Sequence, residues 1–72
     1  MAMLLKAARV NAGLNQAEAL ERLNEMLGSS VAKSTLVSWE AYRTFPSALQ
    51  FKALCEIYGT SMDDISMPFP AP

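Results

Sequence analysis

The side chains best suited to molecular recognition lie in the segment from Lys33 to Ser38, where a cation is followed by short hydroxyl and apolar groups. A helix over residues 33–41 turns Leu36 and Trp39 inward, because they are spaced three apart, and leaves the other side chains on the opposite face. Such a helix fits the major groove of DNA, where cations, hydroxyls and small apolar groups meet phosphates and base edges. The candidates for DNA contact are Lys33, Ser34, Thr35, Val37 and Ser38. The same pattern also describes the solvated face of an ordinary helix, so spacing alone leaves both interpretations open.

Enzymatic chemistry is not expected from this chain. The sequence has no histidine, which removes the usual general base near neutral pH. Cys55 lies on the apolar side of a predicted helix, a position that favours a buried thiol over a nucleophile. Asp63 and Asp64 lie together at a predicted helix start, where their negative charges interact favourably with the positive end of the helix dipole. One cysteine without histidine supplies no four-ligand zinc site, and we expect no cofactor.

Charge and hydropathy narrow the class of partner. Six Lys and Arg against seven Asp and Glu give a net charge of −1, which is not the strongly basic balance of many nucleic-acid-binding domains. Any nucleic-acid surface is therefore expected to be a local patch. The apolar runs are too short for a transmembrane segment or a signal peptide, so we expect no membrane partner and a reduced, cytoplasmic setting.

Five short helices are predicted to position these side chains, and no alternating strand pattern is present. Gly13 is suited to end the first helix in a left-handed conformation. Asn15 and Glu18 have the spacing of a capping box that begins the second helix, and Ser47 can cap the fourth. Residues 61–65 are predicted to form the fifth helix, a single turn.

The predicted organisation is one domain over residues 1–66 and a flexible, proline-rich tail over residues 67–72. The fourth helix carries a second apolar stripe beside its core stripe, and a helix so short rarely buries both faces in one small domain. This stripe is a candidate two-fold interface, unless the tail covers it within one chain. The candidate interface residues are Leu49, Ala53, Ile57 and, from the tail, Phe69.

Motifs along nearly the whole chain follow the order of one known family. Residues 14–18 read LNQAE, residues 33–40 read KSTLVSWE, and residues 43–47 read RTFPS. These segments resemble the start of the second helix, the recognition helix and the following loop of the Cro/CI-type (XRE-like) helix-turn-helix domains of phage repressors. The resemblance implies an all-α, compact five-helix domain with a helix-turn-helix, similar to lambda repressor.

The chain departs from the family pattern around the turn between the second and third helices. The interval between Gln16 and Ser34 is several residues longer than is usual, so the second helix or the turn after it is extended. Ala32 stands at the usual serine or threonine cap of the recognition helix, although Ser30 could cap one register earlier. Tyr42 replaces the glycine that usually follows the recognition helix.

The resemblance also implies roles for particular residues. Gln16 at the start of the second helix, and Arg43 and Thr44 in the loop after the recognition helix, are expected to contact phosphates. Lys33, Ser34, Val37 and Ser38 are expected to contact bases or phosphates. Arg9 and Glu40 are expected to form a partly buried ion pair that joins the first helix to the recognition helix.

The function implied is that of a sequence-specific DNA-binding transcription regulator, a phage or prophage repressor of Cro/CI type. Such a protein is expected to act as a homodimer on a palindromic double-stranded DNA operator, because one half-site offers few contacts. The alternative is an anti-repressor, or another protein-interaction module on the same fold, that binds a repressor protein rather than DNA. The acidic balance of the chain favours this alternative.

Overall fold

The computed structural model describes residues 2–67. Its elements in this range are α1 (Leu5–Asn11), α2 (Gln16–Leu27), α3 (Lys33–Glu40), α4 (Ala48–Tyr58) and a 3-10 turn (Met62–Asp64). The all-α prediction is confirmed for these residues, but the prediction of five helices is wrong, since there are four. Most of the predicted tail, including Phe69, lies outside the described residues.

The predicted fifth helix is replaced by a 3-10 turn because the chain extends immediately after it. Ile65 is in the extended region at φ −106° and ψ 127° and forms a parallel bridge with Met3. The Met3 amide donates to the Asp64 carbonyl at 2.8 Å, and the Ser66 amide donates to the Met3 carbonyl at 2.7 Å. Backbone pairing with the start of the domain therefore takes the hydrogen bonds that a longer helix would have used.

Local capping interactions determine where α2 and α4 begin. The Asn15 side chain accepts from the Glu18 amide at 2.8 Å, and the Glu18 carboxylate accepts from the Asn15 amide at 3.0 Å. Ser47 and Gln50 make the same reciprocal pair at the start of α4, at 3.1 Å and 2.8 Å. Both predicted caps are thus confirmed, and each satisfies amides that a helix start leaves without partners.

The core lies where α2 packs against both α3 and α4, with α1 closing one side. Its fully buried large side chains come from all four helices: Leu5, Leu23, Leu36 and Leu54. On α2 the buried positions are Ala19 and Leu23, while Leu20 is half-buried at the edge. Within residues 2–67, no helix combines the length and the apolar character needed to cross a bilayer.

Candidate nucleic-acid interface

The outward face of α3 carries the side chains predicted to meet DNA. Leu36 and Trp39 are buried, as their spacing predicts, and this orients the rest of the helix. Val37 is 43% exposed, so its apolar side chain lies on the surface. Lys33 and Ser34 are exposed at the start of α3, whereas Thr35 and Ser38 are half-buried. We call the outward side of α3, formed by these five residues, the reading face. Its exposed part consists of one cation, one hydroxyl and one apolar group.

A buried polar cluster fixes α3 against α1 and the start of α2. Glu40, the last residue of α3, accepts a hydrogen bond from Arg9 Nε at 2.7 Å. The Arg9 side chain is 9% exposed and the Glu40 side chain is 5% exposed. Arg9 Nη2 donates to the other Glu40 oxygen at 3.3 Å, and Arg9 Nη1 donates to the Leu14 carbonyl at 2.8 Å. The hydrogen bond to Glu40 raises the pKa of Arg9, so the guanidinium stays charged although it is buried. The structure thus brings Arg9 and Glu40 into contact.

Gln16 belongs to the same cluster. It is the first residue of α2, and its Nε2 donates to Glu40 Oε1 at 3.1 Å. The Gln16 side chain is half-buried and is held by the same carboxylate that holds Arg9. One residue of α3 therefore orients both the start of α2 and the end of α1.

Tyr42 ends α3 in the left-handed conformation, with φ 58°. The Tyr42 amide donates to the Trp39 carbonyl at 3.1 Å, and the Arg43 amide donates to the Ser38 carbonyl at 3.0 Å, which is the pairing of a Schellman motif. A side chain costs about 1–2 kcal/mol in this conformation. The Tyr42 hydroxyl offsets part of that cost by donating to the Ser66 carbonyl at 2.9 Å and accepting from the Leu5 amide at 3.4 Å.

The two loop residues predicted to contact phosphates come directly after this turn. Arg43 and Thr44 are both exposed, next to the end of α3. Because the backbone amides of Tyr42 and Arg43 are bonded to α3, the loop leaves the helix in a defined direction.

Lys6 is a cation at this interface that the sequence interpretation missed. It is exposed on α1 and lines a shallow groove of about 220 Å³ together with Gln16, Val37, Glu40 and Ala41. The sequence does contain a sign that Lys6 lies near the interface. Lys6 precedes Arg9 by three residues, and residues three apart lie on one side of a helix. Three exposed cations therefore border the reading face: Lys6, Lys33 and Arg43.

The turn between α2 and α3, residues 28–32, follows a helix of 12 residues and is organised by Asn24. Gly28 ends α2 at φ 61°, where a Cβ would be strained. Asn24 Oδ1 accepts from the Val31 amide at 2.8 Å and from the Ser29 hydroxyl at 2.9 Å, and its Nδ2 donates to the Val31 carbonyl at 3.0 Å. Ala32 is the N-cap of α3 and provides no side-chain bond, and Ser30 does not cap in its place.

The stripe proposed as a two-fold interface is only partly on the surface. Leu49 is 65% exposed and Ile57 is half-buried, but Ala53 is 4% exposed and packs in the core. Ala53 belongs to the core and lines the base of a groove with Met26 and Leu49, so it adds little exposed surface to the stripe. Met26, 49% exposed at the end of α2, lines one groove with Ile57 and another with Leu49. We call Met26, Leu49 and Ile57 the apolar patch.

Two titratable groups on α4 are buried in the core. Cys55 is buried, as predicted, and burial raises the pKa of its thiol, so it stays protonated. Burial, aided by the charge of Glu40, raises the pKa of Tyr58 far above its usual value. The Tyr58 hydroxyl has no hydrogen-bond partner among residues 2–67.

Comparison with known proteins identifies the family. A family model described as helix-turn-helix matches residues 5–65, a range that contains all four helices. The chain belongs to this XRE-type helix-turn-helix family of DNA-binding transcription regulators. The resemblance inferred from the sequence motifs is thereby confirmed. No curated protein and no solved structure matches the chain.

Proposed function

We propose that this domain is a sequence-specific repressor of Cro/CI type that reads an operator with α3 in the major groove. The observation that carries the proposal is the buried Arg9–Glu40 cluster. It holds α3 rigidly against the domain while Lys33, Ser34 and Val37 face outward. Rigid presentation of a short helix is what groove reading requires, because base contacts depend on fixed register and angle.

The chemistry of each side chain suggests its contact. Lys33 reaches a guanine edge or a phosphate, Ser34 bonds a base edge, and Val37 meets a thymine methyl group. The half-buried side chains of Thr35 and Ser38 form hydrogen bonds with DNA at the edge of the major groove. Backbone phosphates are contacted from both sides of α3 by Gln16, Arg43, Thr44 and Lys6.

Electrostatics set the strength of this binding. If Lys6, Lys33 and Arg43 each neutralise one phosphate, the slope of log affinity against log salt is about −3 for one domain and about −5 for the dimer. The net charge of −1 adds no general attraction, so affinity depends on the local patch. We therefore expect non-specific binding to be weak and discrimination to depend on close fit.

A homodimer on a palindromic operator completes the proposal, because a single half-site offers too few contacts for specificity. The apolar patch is the surface we assign to self-association. Both signs of charge flank it: Arg22 and Lys52 stand beside Glu25 and Glu56. Two-fold symmetry would set cations of one copy against carboxylates of the other.

The decisive experiment is selection of bound duplexes from a random pool, followed by salt titration of wild type, Lys33→Ala and Lys33→Arg. If Lys33 reads a base, Lys33→Ala weakens binding by about 1–3 kcal/mol and relaxes the preference at one position. Lys33→Arg keeps the charge and serves as the matched control for the salt slope. If Lys33 touches phosphate alone, Lys33→Ala weakens all sequences alike and the salt slope falls by about one per domain, or about two for the dimer.

Failure to select any duplex would reject the repressor proposal. Binding to a repressor protein in its place would then favour the anti-repressor, which needs no salt-dependent duplex affinity.

A further inference from the structure

We propose that the turn between α2 and α3, residues 28–32, is a rigid DNA-contacting element in which Asn24 is a positioning residue and Ser30 donates a hydrogen bond to a backbone phosphate. The inference rests on the proposed DNA-binding function. It adds a contact outside α3 and assigns a role to the turn that precedes α3.

Asn24 holds the turn through its side chain and its backbone. The side-chain amide satisfies both the amide and the carbonyl of Val31 and also accepts from the Ser29 hydroxyl, at 2.8–3.0 Å. The backbone carbonyl of Asn24 accepts from the amides of Gly28 and Ser29. A turn of five residues without these bonds would sample many conformations, and the entropy lost on ordering it against DNA would weaken binding. With these bonds in place the turn is already ordered.

Ser30 is the polar side chain that this arrangement leaves for a ligand. It lies between two held residues, Ser29 and Val31, and is exposed. No hydrogen bond of the Ser30 hydroxyl is found among residues 2–67, and Ala32 rather than Ser30 is the cap of α3. The turn leads directly into Lys33 and Ser34, both exposed. When the start of α3 enters the groove, Ser30 lies beside the sugar–phosphate backbone at the groove edge, where hydroxyl donors commonly bind.

The two neighbouring serines provide a matched pair of variants. Ser30→Ala is expected to leave the unfolding midpoint unchanged and to weaken operator binding about ten- to hundredfold, since a hydrogen bond to a charged acceptor is lost. Ser29→Ala loses its bond to Asn24 and is expected to lower the unfolding midpoint, with operator affinity of the folded protein changed less than Ser30→Ala changes it. The salt slope is expected to stay the same in both, because neither serine carries charge.

Replacement of single operator phosphates by methylphosphonates separates contact from structure. Wild type is expected to lose affinity at the phosphate that Ser30 contacts, while Ser30→Ala is insensitive at that position alone. Asn24→Ala is expected to speed hydrogen exchange of the Val31 amide and to abolish the effect of a second Ser30→Ala substitution. If wild type binds its selected duplex and Ser30→Ala shows the same affinity and methylphosphonate profile, the turn proposal is overturned while the repressor proposal stands. If wild type binds no duplex, both are overturned.

Discussion

At the scale of single residues, two tyrosines show that the value of a hydroxyl depends on its partners. The Tyr42 hydroxyl makes two hydrogen bonds, at 2.9 Å and 3.4 Å, that join the turn after α3 to both flanks of the domain. The Tyr58 hydroxyl is buried and has no partner within residues 2–67. The same chemical group therefore stabilises the fold at one position and costs stability at the other.

Phenylalanine at each position tests this contrast. We expect Tyr58→Phe to raise the free energy of unfolding by about 1 kcal/mol, because a desolvated, unpaired hydroxyl is removed. Tyr42→Phe keeps the ring and the backbone conformation but loses both hydrogen bonds, and we expect it to lower the free energy of unfolding by about 1 kcal/mol. Urea denaturation measures both. Effects of the same sign would contradict the assignment of partners.

The Arg9–Glu40 pair is the second prediction at this scale. Because both side chains are nearly buried, removal of one partner leaves an uncompensated charge and is expected to cost about 3 kcal/mol. The double variant Arg9→Ala/Glu40→Ala should cost less than the sum of the single changes. A double-mutant cycle in denaturant measures the coupling, and strict additivity would show that the pair contributes nothing as a unit.

At the scale of the elements, α3 begins without a side-chain cap, which makes its stability adjustable. Ala32→Ser and Ala32→Asp both supply a capping oxygen and are expected to raise the free energy of unfolding by about 1 kcal/mol. They differ in charge, so Asp at this position should repel DNA phosphates while Ser should not. Thermal unfolding and operator affinity of the two variants separate the effects. Equal DNA affinity would place the start of α3 away from the duplex.

The sequence was sufficient for those parts of the elements that depend on neighbours in the chain. The Asn15 and Ser47 caps and the inward pair of α3 were all predictable, because a cap or a helical face involves residues at most four apart. The bonds of Asn24 were not predictable, because they depend on how the chain returns after Gly28. The sequence predicts a fifth helix where the structure has a 3-10 turn. The residue whose backbone pairs with this segment, Met3, lies at the other end of the domain, so local sequence does not reveal the pairing.

Burial was harder to predict than helix position. Ala53 and Leu49 lie on one predicted stripe of α4, yet the first is buried in the core and the second is exposed. Which side of α4 meets α2 is decided by the packing of all four helices, and a stripe pattern does not contain that information. Lys6 was missed for the same reason, since only the packing of the helices places it beside Gln16 and Val37.

At the scale of the whole molecule, self-association through the apolar patch is the main open prediction. Leu49→Glu places a charge on its most exposed residue and is expected to shift sedimentation towards monomer and to weaken operator binding. Val10→Glu is the matched control, because Val10 is 57% exposed on α1 outside the patch. Identical sedimentation and DNA affinity for wild type and Leu49→Glu would remove the patch as an interface.

The bridge between Met3 and Ile65 has a consequence for how the protein is made. These residues are nearly as far apart in sequence as the domain allows, and the bonds on either side of the bridge come from Asp64 and Ser66. Of the four helices α1 is synthesised before the others, but its N-terminal flank lacks its backbone partners until Asp64 and Ser66 have emerged. The nascent chain can form its capped helices early, whereas closure of the domain must wait until nearly all of it has been translated.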